Sequence, residues 1–186
     1  PDEIATVLNE HFTEMVEVVF EHGGALDKFM GDAMMAIWGA PLAHSDDADR
    51  AVGAAVDLQL ALLARNRRRA AQGLRQLEMG IGVNLGEVFA GNIGSDRRLE
   101  YTVIGDAVNT AARLCSEAGP GEILLGEAVY RALASPPLLT ALAPLPLKGK
   151  ALAVPVYRVD WRVDWQADWR AECAEPAVER SDELRA

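Results

Sequence analysis

The segment Glu100–Arg113, EYTVIGDAVNTAAR, combines a strand, a glycine and a helix within fourteen residues. Its apolar residues predict a short strand that ends at Gly105, and Asp106 is then expected to cap the free amide groups of the helix. Asn109 and Arg113 are four residues apart, so they project from one helix face. The chain must therefore place this polar pair close to the end of a strand.

A guanidinium beside a carboxamide, at the rim of a sheet, suits a charged phosphate group. The alanines Ala107, Ala111 and Ala112 keep the surroundings of Asn109 and Arg113 small. An ordinary amphipathic helix with a solvated arginine has the same spacing. Spacing alone leaves both interpretations open.

A second segment, Gly23–Gly39, predicts two short strands around a tight turn, because glycines flank apolar runs. Asp32 falls at that turn, where its carboxylate can reach a metal ion, and Lys28 lies four residues earlier in the strand. The alternative is a hairpin in which Gly31 and Asp32 only form the turn and Lys28 is a surface charge.

Together these segments resemble the catalytic domain of class III nucleotide cyclases. Five stretches occur in the order of the family and carry the resemblance from the start of the chain to about Val159: Leu8–Phe12, Gly24–Asp32, Gly80–Gly86, Ile104–Arg113 and Leu147–Lys150. The resemblance implies the class III cyclase fold, with a ferredoxin-like sheet flanked by helices.

The pattern of the whole chain also favours an α+β class with a largely antiparallel sheet, because strands return as hairpins with only some helical crossovers. We expect helices at Pro1–His22, Asp46–Ala71, Asp106 onward and near Ala128. We expect strands at Leu77–Leu85 and Glu87–Ile93 (a pair turning at Gly86), Glu122–Leu125, Leu138–Leu147 and Pro155–Val159.

Composition agrees with one globular domain and a tail, since the 186 residues are half apolar. No apolar run approaches the roughly 20 residues of a membrane span, and no secretory leader is visible. Cys115 and Cys173 show neither metal-binding spacing nor a disulfide framework, so we expect a reducing, cytoplasmic location.

The formal net charge of −10 argues against a general nucleic-acid binder. The cluster Arg65, Arg67, Arg68 and Arg69 closes the predicted Asp46–Ala71 helix, where cations favour the backbone dipole. We interpret it as a solvated helix end.

The resemblance implies conversion of ATP to cyclic AMP and pyrophosphate by attack of the ribose 3′-hydroxyl on the α-phosphorus. Two divalent cations, Mg²⁺ or Mn²⁺, assist this reaction in the family. Asp32 matches one metal ligand. Arg113 matches the arginine that stabilises the transition state, and Asn109 the asparagine that positions the ribose. Lys148 or Lys150 matches a lysine on the polyphosphate.

Lys28 and Thr102 match the pair that reads the base. A lysine donates to the adenine ring nitrogen, and a threonine oxygen accepts from the exocyclic amine. By the same resemblance, guanylate cyclases of the family have a glutamate and a cysteine at these two positions. This chain lacks both, so ATP is the expected substrate. Threonine at position 102 resembles the branch that includes bicarbonate-stimulated cyclases, and bicarbonate sensitivity is an expectation by analogy alone.

The resemblance further implies a head-to-tail homodimer with two composite sites. Asp32 would come from one subunit, and Lys28, Thr102, Asn109 and Arg113 from the other. An upstream sensor domain is expected in the full-length protein.

One departure concerns the family's first metal aspartate, which lies on a strand with a Gly-Phe-Thr-like loop before the first helix. The sequence contains no such segment, and Asp2 and Glu3 stand in the wrong context to replace it. We expect this strand upstream, because a domain without it would lack a metal ligand. The alternative function is a non-catalytic, cyclase-like module that binds nucleotide and dimerises.

We expect the catalytic domain to span residues 1–159 and a tail to span 160–186. In the tail, Trp161, Trp165 and Trp169 recur at four-residue spacing. A helix there would carry one aromatic stripe able to dock on the domain or on another protein. A mostly disordered tail with a local helix is the alternative.

Overall fold

The computed structural model describes residues 2–95, 98–146 and 152–162. The helices of this part are α1 (Asp2–Glu21), α2 (Asp47–Ala71), α3 (Asp106–Glu117) and α4 (Glu127–Ala132). The strands are β1 (Ala25–Met30), β2 (Ala33–Ile37), β3 (Ile81–Val83), β4 (Phe89–Ser95), β5 (Arg98–Ile104), β6 (Ile123–Gly126), β7 (Leu139–Ala141) and β8 (Val156–Val159). No helix in these ranges is long and apolar enough to cross a membrane.

The strands form three groups. β1 and β2 make one antiparallel hairpin, β4 and β5 make another, and a four-stranded sheet has the order β3-β6-β8-β7. Within that sheet β3 and β6 are parallel, and the other neighbours are antiparallel. The predicted α+β class with largely antiparallel pairing is confirmed.

The predicted strand pair turning at Gly86 is wrong. β3 pairs with β6, and β4 pairs with β5. The segment between β3 and β4 packs against the first turn of α3. A Cβ on Gly86 would lie 2.9 Å from the Cβ of Ala107, and the side chain of Asn84 donates a hydrogen bond to the Ala107 carbonyl at 3.1 Å. The segment therefore crosses the start of α3 instead of reversing into a hairpin.

The main core lies between α2 and one face of the four-stranded sheet. Every residue from Ala51 to Val56 on α2 is buried. Val52 and Val56 pack in one cluster with Ile123 and Leu125 of β6. On the other face of β6, Leu124 packs with Leu114 of α3. β6 is therefore buried on both faces, as its unbroken apolar run requires.

Charged side chains join α1 to α2. Arg65 is buried and its guanidinium contacts Glu10 at 2.9 Å and Glu14 at 3.0 Å. Burial, together with the charge of Arg65, holds the pKa of the neighbouring His11 below its ordinary value. Arg65 is thus an interhelical ion-pair partner, whereas Arg67 and Arg68 are exposed as predicted for the helix end.

Trp161 follows β8 and packs into the main core with Val159 and Val129. Its indole nitrogen donates to the Gly121 carbonyl at 2.8 Å, and the Arg162 guanidinium lies 5.0 Å from its ring centroid. Trp161, the first of the three tryptophans of the predicted stripe, is therefore packed against the domain. Trp165, Trp169 and the rest of the predicted tail from residue 163 lie outside the described residues.

We predict that Trp161→Ala lowers the free energy of unfolding by about 3–5 kcal/mol, because it leaves a large cavity in the core. Trp161→Phe keeps most of the packing and loses the hydrogen bond to Gly121, so it should cost about 1 kcal/mol for that bond. Urea denaturation measures both. Leu152, which is 83% exposed, provides a control: Leu152→Ala should change the free energy by less than about 0.5 kcal/mol. Equal losses in the three variants would contradict the anchoring role.

Candidate active site

A β-bulge in β1 determines which side chains face the predicted base pocket. Leu26 pairs with Ala36 and Lys28 with Met35, so Asp27 is an extra residue on its strand. Because Met35 and Ala36 point to opposite faces, Leu26 and Lys28 do too, although they are two residues apart. Leu26 lines a groove with residues of α1, whereas the Asp27 carboxylate and the Lys28 ammonium lie 3.6 Å apart on the other side of the strand.

Asp27 joins the two residues that are predicted to read the base. Its Oδ2 accepts a hydrogen bond from the Thr102 hydroxyl at 2.9 Å and lies 3.6 Å from the Lys28 ammonium. The Asp27 side chain is only 1% exposed, and Thr102 is buried. This contact ties β5 to β1, so the structure brings Lys28 and Thr102 together through a shared carboxylate.

Asp32 occupies the two-residue turn between β1 and β2. Met30 pairs with Ala33, and Gly31 takes a positive φ of 66° that a residue with a side chain rarely adopts. The turn leaves the Asp32 carboxylate exposed to solvent. The Gly-Asp turn predicted from the sequence is therefore present.

As a metal site, this turn offers one hard oxygen donor. Mg²⁺ and Mn²⁺ suit oxygen ligands, and Mg²⁺ requires near-octahedral coordination. Within residues 2–95, 98–146 and 152–162, no group of three or more His, Cys, Asp or Glu side chains could hold an ion. Asp32 thus fits a divalent cation as a single ligand, and the remaining ligands must come from elsewhere.

α3 carries Asn109 and Arg113 on one face, as predicted. Asn109 is exposed, and Arg113 is half-buried. The Nη1 atom of Arg113 is buried and has no hydrogen-bond partner among the described residues. A guanidinium with an unused donor fits an anionic ligand. The start of the helix differs from the prediction: Gly105 is the N-cap, no side chain makes a cap hydrogen bond there, and Asp106 is the acidic residue of the first turn.

The position of α3 depends on the absence of side chains on β3. A Cβ on Gly82 would lie 2.6 Å from the Ala111 carbonyl oxygen and would also meet the Cys115 amide. Only glycine lets the helix backbone approach the strand this closely. Gly82 therefore sets the distance between the sheet and the helix that carries Asn109 and Arg113.

Two further residues are predicted to bind the polyphosphate. Lys148 and Lys150 lie outside the described residues. Among the residues that are described, no side-chain hydrogen bond or ion pair joins Asp32, Asn109 or Arg113 to one another or to Lys28 and Thr102.

An open groove between α1 and β1 contains none of the predicted site residues. Its lining consists of Asn9, Phe12, Thr13, Val16, Glu17, Leu26 and Phe29.

Asp27 is the residue of this site that the sequence did not single out. In a regular strand it would lie on the face opposite Lys28, and only the bulge brings the two together. The sequence feature that could have pointed to Asp27 is an acidic residue directly before a lysine in an otherwise apolar strand.

The family model described as the adenylate and guanylate cyclase catalytic domain matches residues 1–159. The chain belongs to this family. The predicted class III cyclase resemblance is thereby confirmed.

Relatives of known structure share the fold of this cyclase domain. The guanylyl cyclase Cya2 is 40% identical with a TM-score of 0.78, and the match covers 86% of this chain and 81% of Cya2. The adenylyl cyclase CyaB from P. aeruginosa is 31% identical with a TM-score of 0.82, covering 86% and 83%. An adenylate cyclase of Anabaena cylindrica is 35% identical over 86% of this chain and 32% of its own length. The chain spans about a quarter of the length of the curated relatives it matches.

We predict that Gly82→Ala destabilises the cyclase domain by about 1–3 kcal/mol or more, because the added methyl group would meet helix backbone that cannot rotate away. Gly91→Ala is the matched control. Its Cβ would meet only the ring of Phe89, at 3.0 Å, and that exposed side chain can move. Urea denaturation of both variants tests the docking of α3. Equal stability of the two variants would show that this close approach is not a constraint.

Proposed function

We propose that this domain converts ATP to 3′,5′-cyclic AMP and pyrophosphate. Family membership provides the class of reaction, and one observation favours adenine. The buried Asp27 carboxylate holds the Lys28 ammonium and the Thr102 hydroxyl at the same place. A donor and an acceptor side by side match the edge of adenine.

The choice of base follows from hydrogen-bond polarity. Adenine presents a ring nitrogen that accepts and an exocyclic amine that donates, so Lys28 and Thr102 each find a partner. Guanine presents a carbonyl and a ring N–H at this edge, which would place the ring donor against the Lys28 ammonium. A buried site rejects a ligand that leaves its polar groups unpaired. The fold itself does not choose, because CyaB and Cya2 carry adenylyl and guanylyl names on similar structures.

The proposed reaction needs no covalent enzyme intermediate. The ribose 3′-oxygen attacks the α-phosphorus in line, and pyrophosphate leaves from the opposite side. Catalysis then consists of positioning and of neutralising negative charge as it develops. Arg113, with a donor that no described residue satisfies, serves the phosphate, and Asn109 four residues earlier orients the ribose. Lys148 or Lys150 serves the polyphosphate.

Asp32 would hold a divalent cation, Mg²⁺ or Mn²⁺, at the exposed turn of the β1–β2 hairpin. Two such ions, when bound, would activate the hydroxyl and neutralise the triphosphate. The hard carboxylate oxygen of Asp32 supports this choice of metal.

We further propose a homodimer in which each site takes Asp32 from one subunit and Lys28, Thr102, Asn109 and Arg113 from the other. Apolar side chains on the β4–β5 hairpin support an interface, since Phe89, Leu99, Tyr101 and Ile104 are all exposed. In the full-length protein we place the domain in the cytoplasm, downstream of a sensor domain in cyclic-nucleotide signalling.

The test of the activity is an assay of the full-length protein with Mn²⁺ and either ATP or GTP. We predict that Arg113→Ala lowers turnover of ATP by roughly 100-fold or more and changes the KM little, because the arginine acts chiefly in the transition state. Arg113→Lys should restore activity only in part, since an ammonium cannot reproduce the planar guanidinium fork.

Arg131→Ala is the control for the loss of one positive charge. Arg131 is 73% exposed and pairs with Glu127 on α4, so its replacement should leave turnover within about twofold of the parent. Nucleotide binding without turnover by the parent would favour the non-catalytic module. A preference for GTP would refute adenylate specificity.

Composite sites predict complementation between two inactive variants. We expect Asp32→Ala and Arg113→Ala to be inactive separately and to regain about a quarter of the parent activity when mixed in equal amounts. Half of the randomly mixed dimers then contain one intact site and one doubly defective site. Exchange of subunits must be shown with two differently tagged chains. Mixed dimers that remain inactive would contradict the shared site.

A further inference from the structure

We infer that Asp27 is a positioning residue that sets the base preference by fixing the direction of the Thr102 hydroxyl proton. This inference rests on the proposed function and deepens it, since it names what makes Thr102 an acceptor. The Asp27 carboxylate accepts the hydrogen bond that the Thr102 hydroxyl donates, and the hydroxyl oxygen then presents only lone pairs to the base. Asp27 itself need not touch the nucleotide.

The polarity of a threonine hydroxyl is otherwise undetermined. The group can donate or accept, and it rotates to suit its partner. Facing adenine it must accept from the exocyclic amine, whereas facing the guanine carbonyl it can donate instead. An ionised carboxylate only accepts, so a hydroxyl 2.9 Å from the Asp27 Oδ2 must point its proton there. Asp27 thereby removes the state of Thr102 that would accommodate guanine.

The same oxygen also restrains Lys28. The ammonium lies 3.6 Å from the Asp27 Oδ2, and its other protons remain available to a ligand. The contact with Asp27 already restricts the rotamers of the Lys28 side chain. Lys28 therefore loses less rotamer entropy on binding a base than it would without this anion. One carboxylate thus orients both base-reading groups.

A carboxylate at position 27 does something that a neutral acceptor could not do. A charged side chain that is 1% exposed carries a large desolvation cost, and its Oδ1 has no hydrogen-bond partner among the described residues. An uncharged acceptor such as asparagine could bind the Thr102 hydroxyl at lower cost. It would not, however, force the direction of the proton, because its amide also donates. The bulge that places Asp27 beside Lys28 is a feature that often re-aims side chains next to active sites.

The experiment compares Asp27→Asn with the parent in the full-length protein. We expect the ratio of kcat/KM for ATP to kcat/KM for GTP to fall roughly tenfold or more, the equivalent of one misdirected buried hydrogen bond. The loss should appear mainly as a higher KM for ATP, because base contacts form equally in ground and transition states. Asp27→Glu, which keeps a carboxylate, should restore part of the ratio.

A second arm measures binding without turnover. Analogues that lack the 3′-hydroxyl, 3′-deoxy-ATP and 3′-deoxy-GTP, cannot cyclise, and calorimetry gives their affinities directly. Asp27→Asn should reduce the preference for 3′-deoxy-ATP by about the same factor as in the kinetic assay. In a Thr102→Val background the effect of Asp27→Asn should shrink to about threefold or less, since no hydroxyl remains to be directed.

Asp49→Asn is the matched control, because Asp49 is a buried carboxylate with a structural role. It accepts hydrogen bonds from the amides of Ala134 and Ser135, on residues that the proposed site does not use. Its replacement should lower the thermal unfolding midpoint and leave the ATP-to-GTP ratio within about twofold. If Asp27→Asn does not fold, Asp27→Ala gives the same comparison without burying a polar group.

The outcomes separate this inference from the proposed function. A folded parent that cyclises neither nucleotide refutes the function, and the binding arm still reports the base preference. A parent that prefers ATP, with Asp27 variants that keep its preference within about twofold in both arms, overturns the inference alone. A lower unfolding midpoint with an unchanged ratio would assign Asp27 to structure only.

Discussion

β6 is buried on both faces, and this burial positions α2, α3 and the candidate site. Ile123 and Leu125 face the core formed with α2, whereas Leu124 faces Leu114 of α3. Alternation along a single strand therefore fixes one helix on each side of the sheet. β3, which pairs with β6 in parallel, then offers Gly82 to the backbone of α3. The placement of Asn109 and Arg113 follows from this chain of contacts.

Local patterns in the sequence predicted the elements whose signals are local. The bounds of α2, expected at Asp46–Ala71, differ by one residue from those observed, because a long amphipathic period and a charged end mark it clearly. The Gly31-Asp32 turn was also predicted, since its glycine requirement is visible in two residues. The supposed turn at Gly86 failed for the opposite reason. The partner of β3 lies about forty residues farther along the chain, and a local pattern carries no information about it.

Some residues of the candidate site can be recognised from the sequence, and others only from the structure. Lys28, Asp32, Asn109 and Arg113 stand out in the sequence by turn and helix spacing, whereas Thr102 is identified only by the family resemblance. Asp27 emerged only from the three-dimensional register, because a one-residue bulge reverses the facing of its neighbours. Nor does a sequence show that Thr102 and Asp27, seventy-five positions apart, share a hydrogen bond.

Cya2 and CyaB carry guanylyl and adenylyl names on similar folds, so the backbone fold alone does not determine which purine is bound. Two residues that contact the base are not sufficient for such a choice when one of them is a hydroxyl, because a hydroxyl adapts its polarity to either purine. Selectivity then requires a third group that removes this freedom before the nucleotide arrives. A buried anion is suited to that task, since its own polarity cannot reverse while it stays ionised. If Asp27 directs the Thr102 hydroxyl as we infer, the desolvation cost of its carboxylate is the energetic cost of discriminating between the two purines.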